Sequence, residues 1–149
     1  MTLEPLLSED RSRCRVPAAS RKRVLQALAA TLARPNLPED ELFDGLLARE
    51  RLGSTGLGEG VAIPHCRADV EQINLCLLTT HEPVDYEAID GQRVDVFVAL
   101  IVPTHENEAH LRALAELSTI LAEAANRERL RACSTNDELY QCMRTMLCP

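Results

Sequence analysis

Tryptophan is absent from the 149-residue chain, and phenylalanine and tyrosine contribute two residues each. The aromatic rings on which single-stranded nucleic-acid binders stack bases are therefore missing. Lysine occurs once, at Lys22, so no glycine run ends in the Lys-Ser/Thr pair of a nucleotide phosphate loop. No stretch approaches the ~18 apolar residues of a membrane span. The opening "MTLEPLLSEDRSRCR" lacks the basic start and apolar core of an export signal, which points to a cytoplasmic protein. The six cysteines, Cys14, Cys66, Cys76, Cys133, Cys142 and Cys148, form no C-x-x-C pair. They read as free thiols of a reducing compartment, mostly small buried apolar residues.

What is present is ordinary for a globular protein: 46% apolar and 26% charged residues. The length suits one domain over residues 1–149, with a core of about 10–147. A net charge of -7 opposes bulk binding of nucleic acid. Residues 11 to 23 run against that sign, with Arg11, Arg13, Arg15, Arg21, Lys22 and Arg23 and no acid among them. The segment reads as the basic flank of a solvated helix start; a basic arm on DNA or RNA is the alternative.

Val24, Leu25, Leu28 and Leu32 fall at helical spacing, with Ser20 as the cap and Pro35 as the stop. A second helix follows from Pro38, with acids in its first turn and Gly53 at its end. "GVAIPH" and "INLCLLTT" read as strands. "RVDVFVALIVP", apolar at nearly every position from Val94, suits a central strand buried on both faces. "ENEAHLRALAELSTILAEAAN" predicts one amphipathic helix with Leu111, Leu114, Leu117 and Leu121 inward. Thr135 and Glu138 have capping-box spacing for a last helix. The expected fold is α/β, a mixed sheet sandwiched by helices.

The stretch "GSTGLGEGVAIPH" spends four glycines in eight residues before it reaches His65. The glycines lie between a helix and a strand, the reverse of a dinucleotide fingerprint, and G-x-S-x-G is absent. A metal site fares no better. "HENEAH" has one residue more than H-E-x-x-H, and on a helix His105 and His110 would point ~140° apart. What remains is His65, stiffened by Pro64 and preceded by a backbone free to turn tightly and approach a ligand or partner.

"RERLGSTGLGEGVAIPH" resembles the signature of the enzyme IIA proteins of the fructose–mannitol class of the bacterial phosphotransferase system, most closely its nitrogen-regulatory branch. "SRKRVLQALAATLA", "YEAIDGQRVDVFVALIVP", "HLRALAELSTILA" and "LRACSTNDELYQ" follow in the order and spacing of that family, so the likeness covers roughly residues 10 to 145. It implies the fold of that family and no cofactor or metal. It implies that His65 accepts a phosphoryl group from the histidine of a small phosphocarrier protein. Arg49 would pair the phosphate oxygens, with Arg51 as the alternative for that job, and His110 would approach the active histidine. Glu59 is a further candidate; many members of the nitrogen branch carry a neutral residue there, and some sugar-type relatives an acid. Cys66 departs from the glycine usual after the active histidine; its side chain is expected to narrow the site, and to add redox sensitivity if exposed with a low pKa.

The resemblance implies regulatory targets, among them potassium-transport components and sensor kinases, and a monomer or weak dimer. It implies no nucleic acid and no membrane span. Leu52, Leu57, Val61 and Ile63 read as core or as part of a docking patch for the carrier. Two alternatives stay open: a sugar-specific IIA component feeding a fructose- or mannitol-type permease, and an interaction module whose histidine is not phosphorylated.

Overall fold

The computed structural model describes residues 3–148. Its centre is strand β6 (Val94–Pro103). Phe97, Ala99 and Ile101 enter one apolar cluster, and Val96, Val98, Leu100 and Val102 enter the other. The unbroken apolar run thus matches a strand with helices on both sides.

Strand β5 (Asn74–Val84) lies antiparallel along one edge of β6, with Leu75 opposite Leu100 and Leu77 opposite Val98. Strand β1 (Ser12–Val16) runs parallel on the far side of β5. The other edge of β6 takes two short parallel strands in succession, β3 (Val61–Ala62) and β4 (His65–Ala68). Strand β2 (Gly56–Gly58) turns back antiparallel on β3. The sheet is therefore mixed, as expected.

Helices α1 (Arg21–Leu32) and α2 (Glu39–Arg51) cover one face. Ser20 caps α1 by accepting from the Arg23 amide at 3.2 Å. Helices α3 (Glu108–Leu121), α4 (Ala124–Ala132) and α5 (Asn136–Leu147) pack on the other. Thr135 accepts from the Glu138 amide at 3.1 Å at the start of α5, the predicted cap.

Three expectations need correction. The basic segment does not lead straight into a helix. Its first half is β1, where a bulge lets Arg15 adopt a φ of 53°. Arg11 donates to the Leu75 carbonyl at 3.0 Å and Arg21 pairs with Glu87 at 2.8 Å, so part of this charge ties the chain to itself. The long amphipathic helix is two helices. Asn126 and Arg127 donate side-chain N–H groups to the carbonyls of Ile120, Leu121 and Ala122, closing α3 where the sequence pattern runs on. Leu111 does not face inward but is 67% exposed; Ala113, Leu117 and Leu121 form the buried stripe. Leu111 lies ~120° round the helix from Leu117.

Between α2 and β3, Gly58, Glu59 and Gly60 take φ values of 93°, 58° and 81° in succession. Gly56 and Gly60 are also pressed by neighbours. A Cβ on Gly56 would lie 2.8 Å from that of Ala88, and one on Gly60 would strike the Arg131 guanidinium. Gly91, at φ 72°, has open space. Gly91→Ala is expected to cost about 1 kcal/mol of left-handed strain, and Gly60→Ala about 1–3 kcal/mol more from the added clash. Urea unfolding of the two variants checks the order.

Candidate active site

His65 opens β4 on the edge of β6, opposite Leu100. Neighbouring side chains on a strand point to opposite faces. Cys66 enters the cluster under α1 and α2, and His65 points to the face of α3. Pro64 breaks the run between β3 and β4 without breaking the ladder, because its carbonyl accepts from the Leu100 amide at 2.9 Å.

The His65 ring is half-buried and held at both nitrogens. Nδ1 lies 2.9 Å from the Ile63 carbonyl, and Nε2 receives the Arg49 Nε–H at 3.3 Å. A carbonyl only accepts and a guanidinium only donates, so the bonds assign the tautomer: the proton sits on Nδ1 and the lone pair on Nε2. Arg49, in the last turn of α2, is itself anchored by donating to the Gly53 carbonyl at 2.7 Å.

His110 comes from the first turn of α3, with its ring centroid 5.1 Å from that of His65 and the planes at 63°. Its Nδ1 faces a guanidinium nitrogen of Arg67 at 3.3 Å. The same rule puts the proton of His110 on Nε2, an enclosed atom with no hydrogen-bond partner among the described residues. Arg67 was not singled out in the sequence. Its fork also grips the carbonyls of Pro103, Thr104 and Glu106 and the Asn107 side chain at 2.8–3.2 Å, fixing the turn that delivers His110. Its position two residues after His65 on a strand, hence on the same edge, was the signal available.

Burial lowers the pKa of His65, and the Arg49 charge adds to this against the opposing pull of the Ile63 carbonyl. His110 is lowered by burial, then by His65 and the nearby arginines. Both rings are therefore neutral at physiological pH, and neutral imidazole is the nucleophilic form.

The structure thus brings together three of the four residues proposed for the site: His65, Arg49 and His110. Glu59 stands apart. Among the described residues its carboxylate meets Arg127 at 4.0 Å, its carbonyl accepts from Arg131, and it bonds to neither histidine nor to Arg49. Arg51 is exposed on the other side of the α2 terminus. Cys66 neither narrows the site nor offers a redox handle. It is buried, 3.0 Å from where a Cβ on Gly45 would lie, and burial pushes its thiol up to about 11. Val61 and Ile63 are core, whereas Leu52 and Leu57 are exposed, with Leu111 beside His110.

The site is a histidine whose unprotonated Nε2 meets an arginine at the edge of a mixed sheet. The chain belongs to the family described as phosphoenolpyruvate-dependent sugar phosphotransferase system, EIIA 2, whose model matches residues 5–145. Within it, the chain is 43% identical over 142 residues to a nitrogen regulatory protein of Pseudomonas aeruginosa, covering 93% of this chain and 92% of that one. The crystal structure of nitrogen regulatory protein IIA-Ntr from Neisseria meningitidis superposes with a TM-score of 0.89 at 34% identity, over 97% of this chain and 98% of the other. IIA mannitol from Escherichia coli shares the fold with a TM-score of 0.76 at 20% identity, over 92% and 98%.

The site makes a titration prediction. The folded pKa of His65 lies below the ordinary 6.5, so the unfolded chain binds more protons between the two values. The ring's contribution to stability is constant above the unfolded value and is lost as pH falls through 6.5 toward the folded pKa. NMR of the ring should give a midpoint below 6.5. Arg49→Ala should raise that midpoint, and Glu59→Gln should leave it within about 0.1 unit, since an exposed carboxylate is screened by solvent.

Proposed function

We propose that His65 is a phosphoryl carrier. Its Nε2 lone pair attacks the phosphorus of a phosphohistidine on a small carrier protein. As the new P–N bond forms the old one breaks, and its electron pair returns to the carrier's ring nitrogen. No nucleotide or metal takes part. The transfer passes through a loose transition state that asks the protein mainly for position and charge stabilisation.

The observation that carries this reading is the fixed tautomer: an unprotonated Nε2 that accepts from Arg49, backed by an Nδ1–H bonded to the Ile63 carbonyl. The Arg49 guanidinium is placed to follow the incoming oxygens, and Arg–phosphate bonds are charge-assisted. The unpartnered Nε2–H of His110 offers a second donor at the start of a helix, where the dipole favours an anion. Leu52, which follows Arg49 at the end of α2, and Leu111, next to His110, supply exposed apolar surface beside the site for a carrier that docks briefly and leaves.

The 43% identity to a nitrogen regulatory protein matched over 92% of its length, against 32% to a sugar-specific EIIABC component of which this chain matches 22%, supports a regulator over a sugar-feeding component. In this reading the chain is a single cytoplasmic domain, and its phosphorylation state tunes its binding to regulatory targets such as potassium-transport components or sensor kinases. Among the described residues no helix is long and apolar enough to cross a membrane.

Incubation with phosphoenolpyruvate, the first enzyme of the chain and a matched carrier should add one acid-labile phosphate by intact mass. His65→Ala should take none. Arg49→Ala should slow the gain by roughly 10²-fold, the usual scale for losing a transition-state donor. Equal labelling of wild type and His65→Ala would overturn the assignment. No labelling of wild type by a competent carrier would leave the interaction-module reading in its place.

A further inference from the structure

One buried acid next to the site is not used by the transfer. Glu50 follows Arg49 in the last turn of α2, yet it is 3% exposed. Among the described residues no lysine, arginine or histidine pairs with its carboxylate. A carboxylate in such a place needs other compensation. Here Thr55 provides it. The Thr55 amide donates to Oε1 at 2.9 Å, and its hydroxyl lies 2.9 Å from Oε1 and 2.7 Å from Oε2. Tyr86 closes the pocket; its buried hydroxyl lies against Glu50 and Thr55, and burial together with Glu50 drives the phenol's pKa up.

Thr55 leads directly to the catalytic ring. Its carbonyl accepts from the Ile63 amide at 3.1 Å, and the Ile63 carbonyl is the partner of His65 Nδ1 at 2.9 Å. Three successive contacts thus join a buried carboxylate to the imidazole. The linkage is mechanical, because the N–H and C=O of one residue belong to different peptide planes. It fixes where the Ile63 carbonyl points, and that carbonyl decides which ring nitrogen keeps the proton.

We propose that Glu50 is a positioning residue for phosphoryl transfer, acting through Thr55 and Ile63 to hold His65 as the Nδ1–H tautomer with its Nε2 lone pair facing the donor. This rests on the carrier function proposed for His65. Outer partners of this kind orient reactive and metal-bound imidazoles. Four charged or titratable groups act on the ring: Arg49 from α2, Arg67 from β4 and His110 from α3, with Glu50 behind it. Of these Glu50 carries the negative charge, and it opposes the loss of basicity that burial and Arg49 impose.

Glu50→Gln keeps the shape and removes the charge and one acceptor oxygen. Thr55→Val removes the hydroxyl and keeps the amide, and Thr55→Ser restores the hydroxyl. Ring-nitrogen NMR of the unphosphorylated proteins should show Nδ1–H alone in wild type and Thr55→Ser. Glu50→Gln and Thr55→Val should show a mixture with Nε2–H, and Glu50→Gln also a lower midpoint. Transfer from the carrier should slow about 10-fold or more at saturating carrier in those two, the scale of a lost outer hydrogen bond. Half-saturation should not move, because the exposed leucines are untouched. An unchanged tautomer and midpoint in folded Glu50→Gln, or in Thr55→Val should the glutamine variant not fold, would reduce Glu50 to a loop anchor and overturn the proposal. The NMR result stands whether or not wild type accepts phosphate, so failure of the carrier function would be seen separately.

Discussion

An imidazole can take a phosphoryl group only on a nitrogen whose lone pair is free. A ring loose in water exchanges its tautomers and titrates near neutral pH. The contact between His65 Nδ1 and the Ile63 carbonyl removes that ambiguity, and much of the surrounding structure serves it. The carbonyl must point at the ring from two residues upstream, so the backbone between β3 and β4 cannot follow a plain strand. Pro64 makes the deviation, and the Leu100 amide still finds its carbonyl on β6. Upstream, the Gly58–Gly60 turn sets the level at which β3 enters the sheet. A strand buried on both faces gives this edge a rigid reference, since β6 cannot shift register without moving apolar residues in both layers.

The parts of the fold legible in the sequence were those with a single strong local cause. The β6 run, the Ser20 and Thr135 caps and the glycine turn each express one dominant preference over a few residues. The parts that were not legible are decided by distant groups. Strand β1 is short and alternates arginines with small residues; it is a strand because β5 offers it a parallel edge. The break between α3 and α4 depends on Asn126 and Arg127 folding back, which no periodicity records. For the site, His65 announced itself through its glycines and Pro64. Arg67 and Glu50 were passed over because a charged residue on a strand end and an acid on a helix both look solvated until tertiary contacts are known. Glu59 lies within the same signature, yet its carboxylate turns to Arg127 while its backbone takes a left-handed φ and offers Arg131 a carbonyl.

The two faces of β4 divide the labour. Cys66 fills space beneath α2 at the point where Gly45 lets the helix approach, so a side chain there need not disturb the site. His65, on the other face, meets a helix start. Alternation along a strand thus separates a packing position from a chemical one between adjacent residues. A substitution next to the reactive histidine can be absorbed on one side of the sheet while the geometry on the other is kept.

In the proposed carrier role, two donors of the site stand ready for an incoming anion. Among the described residues no acceptor meets the Nε2–H of His110. Arg67 enforces that tautomer by occupying Nδ1, which fixes the proton on the unpartnered side. Arg49 meanwhile spends one donor on the lone pair that must be freed for attack. If His65 carries phosphate as proposed, both arrangements favour that form: an oxygen arriving at His65 would give the His110 N–H an acceptor and Arg49 a better one. The donor groups are already oriented, so little reorganisation is required at the moment of transfer. The same donors would resist release of the group afterwards, which suits the regulatory role proposed above.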